Sequence, residues 1–159
     1  MARKKKIRPI QIYDSFYCTI EEWQREYHFG ARIPDRKYEE SGHKEWDRIT
    51  ITTRIRHHIT NRIKSRRKFE VVEFWLSPEH TLRSKWSKDA RDIGGIFSYR
   101  GLLQAYVDLA SDAFYSLIPC LAGNHFKEII VSVRNLRYSH GDIQWIGFEP
   151  KETSPEDLA

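Results

Sequence analysis

The stretch RITITTRIRHHITNRIKSRRK, Arg48 to Lys68, decides the fold class because its residues sort by parity. Ile49, Ile51, Thr53, Ile55, His57, Ile59 and Ile63 hold odd positions; Arg48, Thr50, Thr52, Arg54, Arg56, His58, Thr60 and Arg62 hold even ones. Successive side chains of a strand point to opposite faces, so the alternation predicts a β-strand with an isoleucine face and a cationic, hydroxylic face. A helix would scatter the same isoleucines around its circumference. On a continuous strand His57 falls among the isoleucines and His58 among the arginines.

Working outward, KFEVVEFWL, Lys68 to Leu76, reads as a second strand, antiparallel to the first across a loop near Asn61 to Arg67. Its apolar residues occupy both parities, as in a strand covered on both faces or one bulged between Val71 and Val72. Upstream, Ile10, Ile12, Phe16, Cys18 and Ile20 share one parity, which predicts a strand that Asp14 interrupts or bends. The following TIEEWQREYHFG predicts a short helix: Thr19 and Glu22 have capping-box spacing, Ile20, Trp23 and Tyr27 share a helical face, and Gly30 can stop it. Residues 30–46 and 77–95 read as polar loops, the second closed by Gly94-Gly95.

Downstream, Leu103, Ala105, Val107 and Leu109 alternate with Gln104, Tyr106 and Asp108, a half-buried strand. Ser111 or Asp112 is positioned to cap a short helix carrying Phe114, Leu117, Ile118 and Leu121, limited by Pro119 and leaving through Gly123-Asn124. Ile129, Val131 and Val133 mark another strand, and a turn at residues 139–142 precedes a last one containing Ile143, Trp145, Ile146 and Phe148. About six short strands without crossover helices predict a mostly-β domain, an antiparallel β-sandwich or partly open barrel with one or two short helices. The expected organisation is a basic tail over residues 1–8, one globular domain over 9–148, and an acidic tail over 149–159.

The formal charge of +5 is unevenly spread: residues 1–80 carry 18 Lys and Arg against 12 Asp and Glu, and residues 81–159 carry 9 against 10. A partner drawn by charge should therefore meet the N-terminal half. Cys18 and Cys120 have no CxxC spacing and apolar neighbours, which predicts buried free thiols, no metal clip and no disulfide framework. The basic start MARKKKIRP is followed by no apolar segment, and no window reaches membrane-spanning length, so a cytoplasmic protein without membrane contact is expected.

No reaction is written in a motif. His57-His58 cannot converge on one ion, since neighbours on a strand face opposite ways. His28, His43, His80, His125 and His140 form none of the spacings HxH, HxxxH or HExxH. There is no GxSxG, GxGxxG or GxxxxGK[ST], and the glycines of DIGGIFSYRG read as turn residues. No metal and no cofactor is called for, and a non-enzymatic role is the expectation. A small hydrolase built on dispersed histidines would require two imidazoles lining a common cleft.

The remaining signal is basic. From Arg54 to Lys68 the chain carries Arg54, Arg56, Arg62, Lys64, Arg66, Arg67 and Lys68 with no acidic residue. Such density suits phosphates, whose neutralisation releases counterions, and alternate strand residues space their cations by about 7 Å. The reading that follows is a binding module engaging an anionic partner, foremost nucleic acid without base-specific readout, through Arg54, Arg56, His58, Arg62, Lys64, Arg66, Arg67 and Lys68. Stacking aromatics are absent from the run, and Phe69, Phe74 and Trp75 read as core. Against it stands the prospect that Glu70 and Glu73 on the next strand already neutralise these arginines. The alternative is a protein-interaction module, an assembly subunit or inhibitor, with exposed aromatics such as Trp86 and Tyr106 as anchors or an acidic surface as the basic face's partner.

Overall fold

The computed structural model describes residues 12–31, 43–61, 68–79, 92–137 and 140–152. Its elements are β1 (Tyr13–Ala31), β2 (His43–Thr60), β3 (Val71–Glu79), β4 (Gly94–Tyr99), β5 (Leu102–Ala110), α1 (Ser111–Ala122), β6 (Phe126–Arg137) and β7 (His140–Pro150). The strands close into a barrel in the order β1-β2-β3-β5-β4-β7-β6, with β6 returning to pair with β1. The mostly-β class holds, but the architecture is neither a sandwich nor an open barrel. Closure gives every strand of the ring a neighbour on each side, whereas β1 beyond Thr19 and β2 before Ile49 pair with each other as a two-stranded extension.

Nor is the sheet wholly antiparallel, because β3 and β5 run parallel over Val72–Glu79 and Leu103–Ala110. A parallel pair needs a crossover, and the described part of it contains β4, which lies on the far side of β5 and hairpins back into it through Arg100-Gly101. Both turn residues have positive φ, 49° and 86°, the conformation glycine adopts without strain. The strand β4 itself was hidden in the sequence by Gly94-Gly95, which open the strand and do not merely end a loop. A Cβ at Gly94 would stand 1.9 Å from the Tyr106 carbonyl oxygen, so only glycine permits this approach of β4 to β5.

Buried side chains fill the barrel: Phe16 and Cys18 from β1, Ile49, Ile51 and Thr53 from β2, and Val72, Phe74 and Leu76 from β3. Ile96, Leu103, Ala105, Val107, Ile129, Val131, Val133 and Ile143 complete the ring. The interior is a packed core. The helix α1 follows β5 directly and buries Phe114 and Leu121. Ala110 is its N-cap residue and no side chain caps it, so neither Ser111 nor Asp112 has the expected role; Pro119 lies within the helix, whose last turn ends at Gly123.

Two departures from simple alternation correct the sequence reading. The first is in β1, which runs as one strand where a helix over residues 19–30 was expected. Glu21 is an extra residue between the pairs Ile20↔Thr53 and Glu22↔Thr52, a β-bulge that reverses parity. One face of β1 therefore carries Ile20, Trp23, Arg25 and Tyr27, of which Ile20 and Trp23 pack on the core and Arg25 and Tyr27 are exposed, and its first step of three mimics a helical face. Pairing with β2 as far as Ala31↔His43 overrides the capping signal at Thr19 and Glu22. The strands also extend into the supposed loop at residues 30–46.

The second bulge lies inside the deciding stretch. Tyr17 pairs with His57 and Cys18 with Ile55, which leaves Arg56 unpaired and inverts the faces of His57 to Thr60. His58 now faces inward, stacked on Phe16 at 4.3 Å between ring centroids, while His57 faces out beside Tyr17. Ile59 is 50% exposed. The two histidines do lie on opposite faces, but the assignment of faces is the reverse of the one read from parity.

In contrast, β3 has no bulge at Val71-Val72: it alternates cleanly, with Val72, Phe74 and Leu76 inward. A further register shift near Gln144 in β7 puts Ile143 and Ile146 on the core side and leaves Trp145 49% exposed.

Candidate functional site

Of the cations expected on the basic face, Arg54 and Arg56 are held by carboxylates. Arg54 donates from Nε to Glu21 Oε1 at 2.7 Å, and this hydrogen bond raises the guanidinium pKa further above its ordinary value. Arg56 grips Glu128 of β6 with two N–H groups, each at 3.1 Å, in the bidentate geometry that suits guanidinium and carboxylate. The partners come from β1 and β6, not from β3 as the sequence suggested. Glu70 reaches Arg54 only as a nearby charge, and Glu73 is engaged elsewhere. The bulges explain the choice: Glu21 and Arg56 are the two extra residues, each turned out of the regular ladder.

His58 does not join these arginines. Its Nε2 lies 2.8 Å from Oδ1 of Asp14, whose side chain is fully buried on β1, and the carboxylate accepts from the imidazole. Lys68 is exposed just ahead of β3, whereas Arg62, Lys64, Arg66 and Arg67 lie outside the described residues. The other described imidazoles are dispersed, with His28 stacked on Trp46 of the outer wall, His125 after the α1 turn and His140 opening β7. Among the described residues no imidazole stacks on another, and no group of three or more His, Cys, Asp or Glu side chains is placed to hold a metal. The Cys18 thiol is buried and free, and burial pushes its pKa up to about 12, which removes it as a nucleophile near neutrality.

What the structure brings together is the outer wall of β1, β2, β3, β5 and β4. Ladder registers place Glu22, Thr52, Glu73, Gln104 and Phe97 in one row across these strands, and Gln24, Thr50, Trp75, Tyr106 and Gly95 in the next. The rings touch in sequence: His28 stacks on Trp46 at 5.2 Å, Trp75 meets Tyr106 edge-on at 4.8 Å, and Tyr106 stacks on Phe97 at 5.2 Å. Arg48 joins the two halves, its guanidinium 4.5 Å from the Trp46 ring centroid and 4.1 Å from that of Trp75. Glu26 closes the far side of Arg48 with an ion pair at 2.7 Å. The result is a band of aromatic and guanidinium groups held on a rigid sheet, each fixed by its neighbours.

Comparison of the chain with protein families, with characterised proteins and with solved structures finds no match. The site therefore has to be read from its own chemistry.

Beside the band, Glu22, Trp23, Gln24, Thr50, Thr52 and Glu73 line a groove of about 190 Å³. Its shape follows from residue size: Thr50 and Thr52 are the short floor on β2, and the longer residues of β1 and β3 stand on either side. Glu73 is oriented by two donors, Trp75 Nε1 and Gln104 Nε2, which converge on its Oε1. Parity alone offered this much: Glu73, Trp75, Gln104 and Tyr106 all alternate with core residues. Which strands lie side by side was not available from it, and Trp75, read as core, belongs to the outer wall. Of the aromatics expected as anchors, Tyr106 is on this face and Trp86 lies outside the described residues.

Proposed function

We propose that this protein is a non-enzymatic module that docks a partner protein on the outer wall formed by β1, β2, β3, β5 and β4. The observation that carries the reading is the continuous band His28, Trp46, Arg48, Trp75, Tyr106 and Phe97. Trp, Tyr and Arg dominate binding energy at protein interfaces, the aromatics because they bury large areas with few rotors and Arg because its planar guanidinium stacks and donates several hydrogen bonds. Here their rotamers are already restrained by stacking and by Glu26 and Glu73, so docking loses little side-chain entropy. A Tyr106→Ala, Trp46→Ala variant should keep its fold and lose at least tenfold in affinity for a partner captured from native extract after nuclease treatment. Unchanged binding of that partner by the variant would defeat the proposal.

A polyanion-binding role is the second reading, favoured by one observation. Ile12 and Asn61, the described residues that adjoin basic stretches of sequence, lie at one end of the barrel, where Tyr13 and Asn61 exchange two hydrogen bonds. Its weakness is that Arg54 and Arg56 must leave carboxylate partners before meeting phosphate, which offsets the gain from counterion release. Fluorescence anisotropy with labelled DNA and RNA at two salt concentrations, comparing the wild type with Arg62, Arg66 and Arg67 changed to Glu, discriminates. Salt-sensitive binding lost in the variant supports this second reading, and absence of binding at low salt removes it.

A further inference from the structure

The outer-wall carboxylates of β1 and the groove differ in what they hold. Glu21 holds Arg54 and Glu26 holds Arg48, so the acids on either side along β1 each have a guanidinium. Glu22 and Glu73, the two that line the groove, have no cationic partner among the described residues. Their strands flank β2, which sets their backbones about 10 Å apart, two strand spacings, with Thr52 between them in the same row. Both donors to Glu73 fall on Oε1, and no donor among the described residues meets Oε2.

We infer that the groove receives a lysine or arginine side chain from an extended segment of the partner, bridging Glu22 and Glu73 above the Thr50-Thr52 floor. The inference rests on the docking role proposed above and names the group that is recognised. Three features favour it. The charge is complementary, two carboxylates that hold no cation among the described residues. Glu73 is pre-oriented by Trp75 and Gln104, so its acceptor is fixed before the ligand arrives. The same wall already seats one guanidinium, Arg48, against indole rings and a glutamate, so the groove offers an incoming cation surroundings of a kind the fold itself uses.

The test uses the full chain and short Gly/Ser peptides with an Arg-Gly-Arg, Lys-Gly-Lys or Glu-Gly-Glu centre, followed by amide chemical-shift perturbation. The cationic peptides should shift Thr50, Thr52 and the Trp75 indole, and the acidic peptide should not. Glu22→Gln and Glu73→Gln, which keep size and hydrogen-bonding capacity, should each weaken the cationic peptides about tenfold, the scale of one charge-assisted hydrogen bond, with unchanged melting temperature. Equal binding of the acidic peptide, shifts confined to another face, or indifference to both substitutions overturns the inference. A concentration-dependent dimer abolished by Glu22→Gln would assign the cation to a second copy and likewise overturn it. The docking role fails separately: if Tyr106→Ala, Trp46→Ala releases the captured partner while the glutamine variants retain it, docking stands and cation recognition falls. If none of these substitutions matters, both fall.

Discussion

At the scale of single residues, burial decides chemistry more than residue type does. Cys18 is a thiol by composition, yet with no exposed surface and beside Thr53 it behaves as a small core side chain. Its pKa, raised from 9.0 to about 12, has a direction that can be read as stability. The folded state keeps the proton after the unfolded chain has lost it, so the contribution is complete below about pH 9 and is lost as pH rises toward 12. Chemical denaturation between pH 8 and 11 should show a fall in stability attributable to this group of a few kcal/mol at most, at about 1.4 per unit. Cys18→Ala should lose that part of the slope. Equal slopes in the two proteins would show that the thiol ionises freely in the fold. Native-state reaction with a thiol reagent should likewise spare Cys18 and take place at Cys120, which is only partly buried.

At the scale of elements, the two bulges determine what faces outward. Alternation from Ile49 to Ile55 was legible because the bulge in that part of the ladder adds its extra residue, Glu21, to β1 and leaves the alternation of β2 intact, and Ile49, Ile51 and Thr53 are fully buried. From His57 to Thr60 the same parity count assigns side chains to the wrong face, because one unpaired residue shifts a period of two by half its cycle. The consequence is measurable in stability. Ile51→Ala should cost about 2–5 kcal/mol, whereas Ile59→Lys, on an isoleucine of equal hydrophobicity, should stay within about 1 kcal/mol. In the same way His58→Ala removes a ring stacked on Phe16 and a donor to buried Asp14, for about 1–3 kcal/mol, and His57→Ala should be close to neutral. Equilibrium urea unfolding of the four variants checks the inversion; if Ile59 and Ile51 prove equally costly, β2 has no functional bulge. The predicted helix at residues 19–30 failed for the related reason that a bulged strand and a helix can share a spacing of three.

At the scale of the molecule, closure is the feature that matters and the one with least local trace. Ser15 and Ser132 lie 117 residues apart in the chain, yet their hydroxyls are 3.1 Å apart at the β1–β6 seam. Such pairings demand long loop closure before they stabilise anything, so refolding followed by tryptophan fluorescence should take milliseconds to seconds. Microsecond relaxation would be inconsistent with the barrel. The same closure assembles the candidate site: Glu22, Thr52, Glu73, Gln104 and Phe97 come from five strands that no spacing in the sequence relates. Strand pairing also engages two of the arginines that the sequence offered to an anion, by bringing Glu128 to Arg56 and Glu21 to Arg54. What the sequence by itself determined is the β class, the core side of β2 as far as Ile55, of β5 and of residues 129–133 in β6, and the helix after β5, because these depend on period and on neighbours along the chain. Only the tertiary structure decided the ring order, the parallel β3–β5 pair, the inversion at Arg56 and the aromatic wall with its acidic groove, because each depends on which distant strand supplies the partner.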